Sequence, residues 1–232
     1  MWKTLLAACA LAAVSSAQAD AGLTELEQRW LRLSWPAVTY ARQQGLPLDI
    51  VVQPQDASGL APLAMAYVDG RCKLVLSMRG NPDAERTLQQ IPTALLTPVV
   101  EAMAAHELGH CWRYVRGAWN TVPAGFTGPV REAAEIEDAT LREQWQAMQQ
   151  TRREEAFADL VGLAWTQRQH PQAYAAVHAW LLAFRDDGAH PGHHHDTLAW
   201  VKLAANPAAF AHADTPFDQA WPLWQQGLET AP

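Results

Sequence analysis

The chain has 232 residues with 17 basic and 24 acidic side chains, a formal net charge of −7. It carries no basic tract or stacking platform for nucleic acid and no cationic surface for anionic lipid, which excludes both as partners. Residues 20–232 hold no Gly/Ser linker and no repeat, and they suffice for one well-filled domain.

In chain order, Met1-Trp2-Lys3 is a short positive region and Thr4 to Val14 an apolar run. Ala17-Gln18-Ala19 then supplies the small-x-small pattern read by signal peptidase. This predicts a signal peptide over 1–19, cleavage after Ala19, and a periplasmic or secreted protein. The apolar run falls short of the ~18 residues a membrane anchor needs, and Cys9 has too little apolar sequence before it for a lipoprotein box. Cleavage removes Lys3, leaving 16 basic against 24 acidic residues and nothing that inserts stably in a membrane.

Leu23 to Gln44 reads as an amphipathic helix interrupted or kinked near Pro36. Leu48 to Gln53 and Leu63 to Val68 read as short strands bounded by turn residues. Cys72 to Met78 is the best strand pattern in the chain, ended by Gly80-Asn81-Pro82. A helix follows from Thr97-Pro98, and Gly117 to Pro129 is a Gly-, Pro- and aromatic-rich loop. Beyond it the pattern is helical over about 130–149, 152–168, 171–185, 195–205 and 216–228. The expected fold is α+β and predominantly helical, a small N-terminal sheet followed by a larger helical half.

The helix after Pro98 contains His106-Glu107-Leu108-Gly109-His110. Residues four apart share a helix face, so His106 and His110 can offer two imidazoles to one metal ion, with Glu107 one position round from the first. That is the layout of a zinc hydrolase, with two imidazole ligands, an activated water and a carboxylate base. Chance produces the pattern in roughly one chain of this length in fifty. The apolar run Val99 to Ala105 before it predicts buried histidines, and buried histidines need partners.

A catalytic zinc normally takes three protein ligands. The metzincin solution would need Gly at 113 and His at 116, where the chain has Arg113 and Arg116. A carboxylate on a later helix is the other solution. Glu155 and Asp159 lie four apart in an apolar stretch, so Glu155 can bind the metal while Asp159 accepts the free imidazole N–H of a ligand histidine. Glu154 is the main rival, and Glu132 and Glu135 rank lower because neither has an Asp four residues later.

His106-Glu107-x-x-His110 followed at distance by Glu155-x-x-Ala158-Asp159 resembles the gluzincin pattern, and in particular the CAAX-prenyl-protease and HtpX-like superfamily of metallopeptidases. The resemblance covers about residues 98–165. It implies a zincin-like domain, one zinc ion on His106, His110 and Glu155, Glu107 as general base and Asp159 behind a ligand. The integral-membrane members carry several spanning helices; this chain has none after its N-terminus, which points to a soluble, exported relative. In zincins generally the strand before the metal helix edges the cleft, where an extended substrate can add. By that resemblance residues 73–78 are a candidate substrate ledge, with an ordinary core strand as the alternative.

The superfamily often has a later His-Pro segment followed by an Arg. Here His190-Pro191-Gly192-His193-His194-His195 ends in Asp196 at the position where Arg is expected. The tract reads either as a solvated metal-binding loop or as the source of one histidine that stabilises the oxyanion, His195 being the best single candidate. Cys72 and Cys111 form an even pair in an oxidising compartment. A bridge between them is one reading and Cys111 as a zinc ligand the other, a choice that spacing leaves open. Most of the 11 tryptophans are expected in core or lid positions, with Trp112 and Trp119 close enough to line a pocket.

The reading that follows is an exported zinc metallopeptidase acting on a peptide or protein through a zinc-activated water. The alternatives are a non-catalytic zincin-fold protein that binds a partner or assists folding, and a periplasmic zinc carrier. An intact Glu107 argues against the first, and a carrier is expected to take two or more ions.

Overall fold

A computed structural model describes residues 22–53, 61–126, 135–186 and 193–230. The expected signal peptide over 1–19, Glu132 and His190 to Gly192 lie outside them. The protein is α+β and predominantly helical, with one small sheet.

Helix α1 (Glu25–Gln43) starts at a capping box in which Thr24 and Glu27 satisfy each other's backbone N–H. It runs through Pro36 without the expected interruption. The proline removes one donor, but Trp30, Ser34, Ala37, Val38 and Ala41 are buried on either side of it, and that burial holds the helix across the missing bond.

Strands β1 (Leu48–Val52), β2 (Leu63–Val68) and β3 (Arg71–Leu76) form the sheet in the order β1-β3-β2. β1 runs parallel to β3 and β2 antiparallel to it, with Tyr67 opposite Cys72. Asp69 and Gly70 close the β2–β3 hairpin with φ of 51° and 73°, the backbone that a two-residue turn demands and that Asp-Gly supplies. β3 is therefore the central strand, with both backbone edges paired. Residues 73–78 are not the substrate ledge; among the described residues the free edges belong to β1 and β2.

Helix α2 (Pro82–Gln90) follows, capped by the Asn81 side chain, with proline in its first turn. Helix α3 (Leu96–Val115) carries the His-Glu-x-x-His segment. Helix α4 (Ala139–Gln169) is one unbroken element of 31 residues where the sequence suggested two. The polar stretch Gln149 to Arg152 does not break it, since it contains neither glycine nor proline. Helices α5 (Tyr174–Asp186), α6 (Leu198–Leu203) and α7 (Pro216–Thr230) complete the helical half.

Packing of α3 against α4 positions the site. A Cβ on Gly109 would sit 3.1 Å from the Ala158 Cα, and one on Gly162 would sit 2.8 Å from the Ala102 carbonyl oxygen. The two glycines let the backbones approach more closely than side chains permit, each within one turn of a residue that carries chemistry. On the far side of α3, Trp112 stacks on Phe157 and Phe217, so it belongs to the core and not to a pocket at the histidines. Cys72 and Cys111 form a disulfide, which ties β3 to α3 and removes Cys111 from the possible zinc ligands. Among the described residues no helix is long and apolar enough to cross a membrane.

Candidate metal-binding site

Helix α3 presents His106 and His110 one turn apart, and α4 brings Glu155 against them. His106 Nε2 and His110 Nε2 are 3.2 Å apart, and the Glu155 carboxylate oxygens lie 3.3 Å and 3.4 Å from them. A tetrahedral ion with bonds of about 2.0–2.1 Å requires its donors to be about 3.3 Å apart. All three separations are close to that figure, with Glu155 meeting His106 through Oε2 and His110 through Oε1. Glu155 Oε2 is moreover buried without a hydrogen-bond partner, although ring nitrogens of His106 and His195 each lie 3.3 Å away. A buried carboxylate oxygen facing imidazole nitrogens, with no donor aimed at it, fits a cation between them. The donor set of two imidazoles and one carboxylate suits zinc.

Glu154, the rival ligand, points elsewhere. It takes both Arg113 Nε and a terminal nitrogen at 2.8 Å and 2.7 Å and accepts the Asn120 N–H at 2.9 Å. Arg113, the residue that breaks the metzincin pattern, is fully buried and lies over the rings of Phe157, Trp221 and Trp224. The ion pair ties α3 to α4, and the loop after α3 is held to it by the Asn120 N–H on Glu154 and by Arg113 donating to the Thr121 carbonyl. The loop places Trp119 edge-on to His110 at 5.6 Å and stacks it on Tyr114 at 3.9 Å.

Asp159 accepts from His106 Nδ1 at 2.9 Å, which leaves His106 Nε2 as the nitrogen available to a metal. Asp159 is itself held by a bidentate Arg185 at 2.8 Å and 2.6 Å and by the Thr197 hydroxyl. Burial works against its ionisation, but the Arg185 guanidinium and His106 outweigh it and keep the carboxyl well below the usual carboxylate range. Burial likewise opposes a charge on His106, yet the hydrogen bond to Asp159 and the nearby Glu155 carboxylate push its pKa up to about 10. Glu155 stays ionised because His106, His110 and His195 overcome its own desolvation. For Glu107 burial prevails and raises the carboxyl pKa, with His106 and His110 tempering the rise.

A cavity of about 210 Å³ opens beside His106 and Glu107. Its walls are mainly apolar, with Leu63, Met103, Val177, Trp180, Leu181 and Phe184 among them, while Asp159, Arg185 and His195 lie on its polar side. The part of the sheet that reaches it is the start of β2, through Leu63 and the preceding Ala61 and Pro62. Among the described residues Glu135 takes no part in its lining.

Sequence reasoning missed Arg185 and Thr197. The expected arginine was sought six residues after His190, where Asp196 stands; Asp196 instead pairs with Arg152 on α4 at 3.5 Å. The only signal for Arg185 was a cation ending the apolar run Val177 to Phe184, and nothing local told which carboxylate it would meet. Comparison with protein families, with curated proteins and with solved structures finds no match.

Proposed function

We propose that the protein is an exported, zinc-dependent metallopeptidase with a zincin-like active site. The observation that carries this reading is the conjunction of His106, His110 and Glu155, whose ligand atoms lie within 4.8 Å of one another, with Glu107 on the wall of an adjoining cavity. His106, His110 and Glu155 would hold one zinc ion, as the gluzincin resemblance implies. Zinc held there supplies a Lewis acid that polarises a carbonyl oxygen and acidifies water.

The remaining work falls to the chain's own groups. Glu107, made more basic by burial, accepts a proton from the water that adds to the scissile carbonyl and delivers it to the leaving nitrogen. His195, its side chain 46 % exposed and its Nε2 3.3 Å from Glu155, is placed to donate to the carbonyl oxygen as negative charge grows on it. Asp159 fixes the tautomer and orientation of His106, and Arg185 with Thr197 fixes Asp159. The apolar cavity receives a bulky apolar side chain next to the scissile bond, and the edge of β2, unpaired among the described residues, offers backbone groups to an extended peptide. The Cys72–Cys111 disulfide supports an oxidising compartment, as the predicted signal peptide does.

A metal carrier is a second reading, favoured by another group of imidazoles at His193, His194 and His195. A carrier has no use for a general base, and Glu107 speaks against it. The test is digestion of a diverse peptide library by the zinc-loaded protein with Glu107→Gln as control. Cuts beside large apolar residues that vanish in Glu107→Gln, with zinc still bound, are expected. Full activity in Glu107→Gln, or no cuts by the zinc-loaded wild type, overturns the reading.

A further inference from the structure

His193, His194 and His195 lie in the turn before α6, consecutive in sequence and outside the set of donors described above. Their rings cluster at the surface, with centroids 3.8 Å apart for His193 and His194, 4.1 Å for His194 and His195, and 5.7 Å for His193 and His195. One nitrogen of each ring lies within 4.8 Å of the other two. Ions that favour imidazole, zinc and copper(II) above all, need donors about 3.3 Å apart, and short rotations of surface side chains supply the difference. The contact an ion would disturb is a long one, the His195 backbone N–H to His193 Nδ1 at 3.4 Å.

The position of this cluster matters more than its composition. His195 faces both ways: its ring packs against His194, and its Nε2 is 3.3 Å from Glu155 Oε2, the buried oxygen without a hydrogen bond. An ion on the three histidines would draw His195 out of its place beside Glu155. It would also bring a second positive centre to a carboxylate that the first metal needs. The two groups of donors therefore share a residue at their border, and occupancy of one bears on the other.

We propose that His193, His194 and His195 form a second, weaker site for a divalent transition ion, and that filling it inhibits the centre at His106, His110 and Glu155. The count of bound ions then ceases to separate a hydrolase from a carrier. What separates them is whether the first ion activates and the second silences.

The probe is zinc itself, titrated by equilibrium dialysis into chelator-stripped protein, with peptidase activity followed on the same samples. Wild type is expected to bind two ions with separate affinities, and activity to fall at least tenfold as the second fills. The double variant His193→Ala/His194→Ala touches none of the first donors. It is expected to bind one ion, keep the one-ion activity and resist excess zinc. One ion per wild-type chain, or two per double variant, removes the second site. Two ions in wild type with undiminished activity refutes the inhibition. An inactive one-zinc protein would refute the peptidase reading while the dialysis still decided the second site.

Discussion

The contact between Gly162 and the Ala102 carbonyl lies directly beneath the candidate site, since Ala102 is one turn before His106 and Gly162 is three residues after Asp159. Replacing Gly162 with alanine would put a Cβ 2.8 Å from that oxygen. Ordinary contact begins near 3.4 Å, so α3 and α4 must separate locally by roughly 0.6 Å. Forcing such a shift in a packed interior costs about 1–3 kcal/mol. Alanine's better helix propensity returns about 1 kcal/mol. The net expectation is a loss of up to about 2 kcal/mol, which for a protein of this size lowers Tm by up to about 8 °C. The same shift strains the 2.9 Å bond from His106 to Asp159 and the spacing of His106 to Glu155. Loss of such support behind a ligand lowers metal affinity by about 10- to 100-fold. Circular-dichroism melting of metal-free protein and competition with a chromophoric zinc chelator measure the two effects. Gly109→Ala, whose Cβ would meet the Ala158 Cα at 3.1 Å, should show a smaller change in both. A Gly162→Ala protein that melts at or above wild type and binds zinc as tightly would refute the close-approach argument.

Two adjacent glutamates should separate cleanly. Glu155→Gln is expected to fold and lose tight zinc binding, whereas Glu154→Gln should keep zinc but lose about 3–5 kcal/mol in denaturant titrations by stranding the buried Arg113. The His106 pKa of about 10 lies above its ordinary value, so in the metal-free protein the proton is present at pH 7–8 and must leave when a metal binds. Zinc affinity should thus rise with pH up to about 10. Calorimetry in buffers of different ionisation enthalpy at pH 7.5 should count about one proton released from this residue, and none released would contradict the assignment. Changing Cys72 and Cys111 to alanine opens a loop of 39 residues and is expected to lower stability by about 4 kcal/mol, read as a shift in the guanidinium midpoint.

Much of the site was legible because its spacing is local. His106, Glu107 and His110 follow from the period of one helix, as does the pairing of Glu155 with Asp159, and an α-helix turns i, i+4 into adjacency without help from the rest of the chain. The α+β class and the three strands were likewise visible in short-range pattern and turn residues. What tertiary structure alone decided is which group meets which across elements. Glu155 and not Glu154 faces the imidazoles because a buried Arg113 on α3 claims its neighbour. Arg185 comes to Asp159 from a separate helix, a place that no offset from His190 encodes. β3, the strongest strand pattern, lies in the middle of the sheet because strand order depends on chain crossing, and hydrophobicity along one strand carries no record of its neighbours. The glycines that let α3 and α4 approach were in plain view, but their purpose emerges only when the two backbones are side by side.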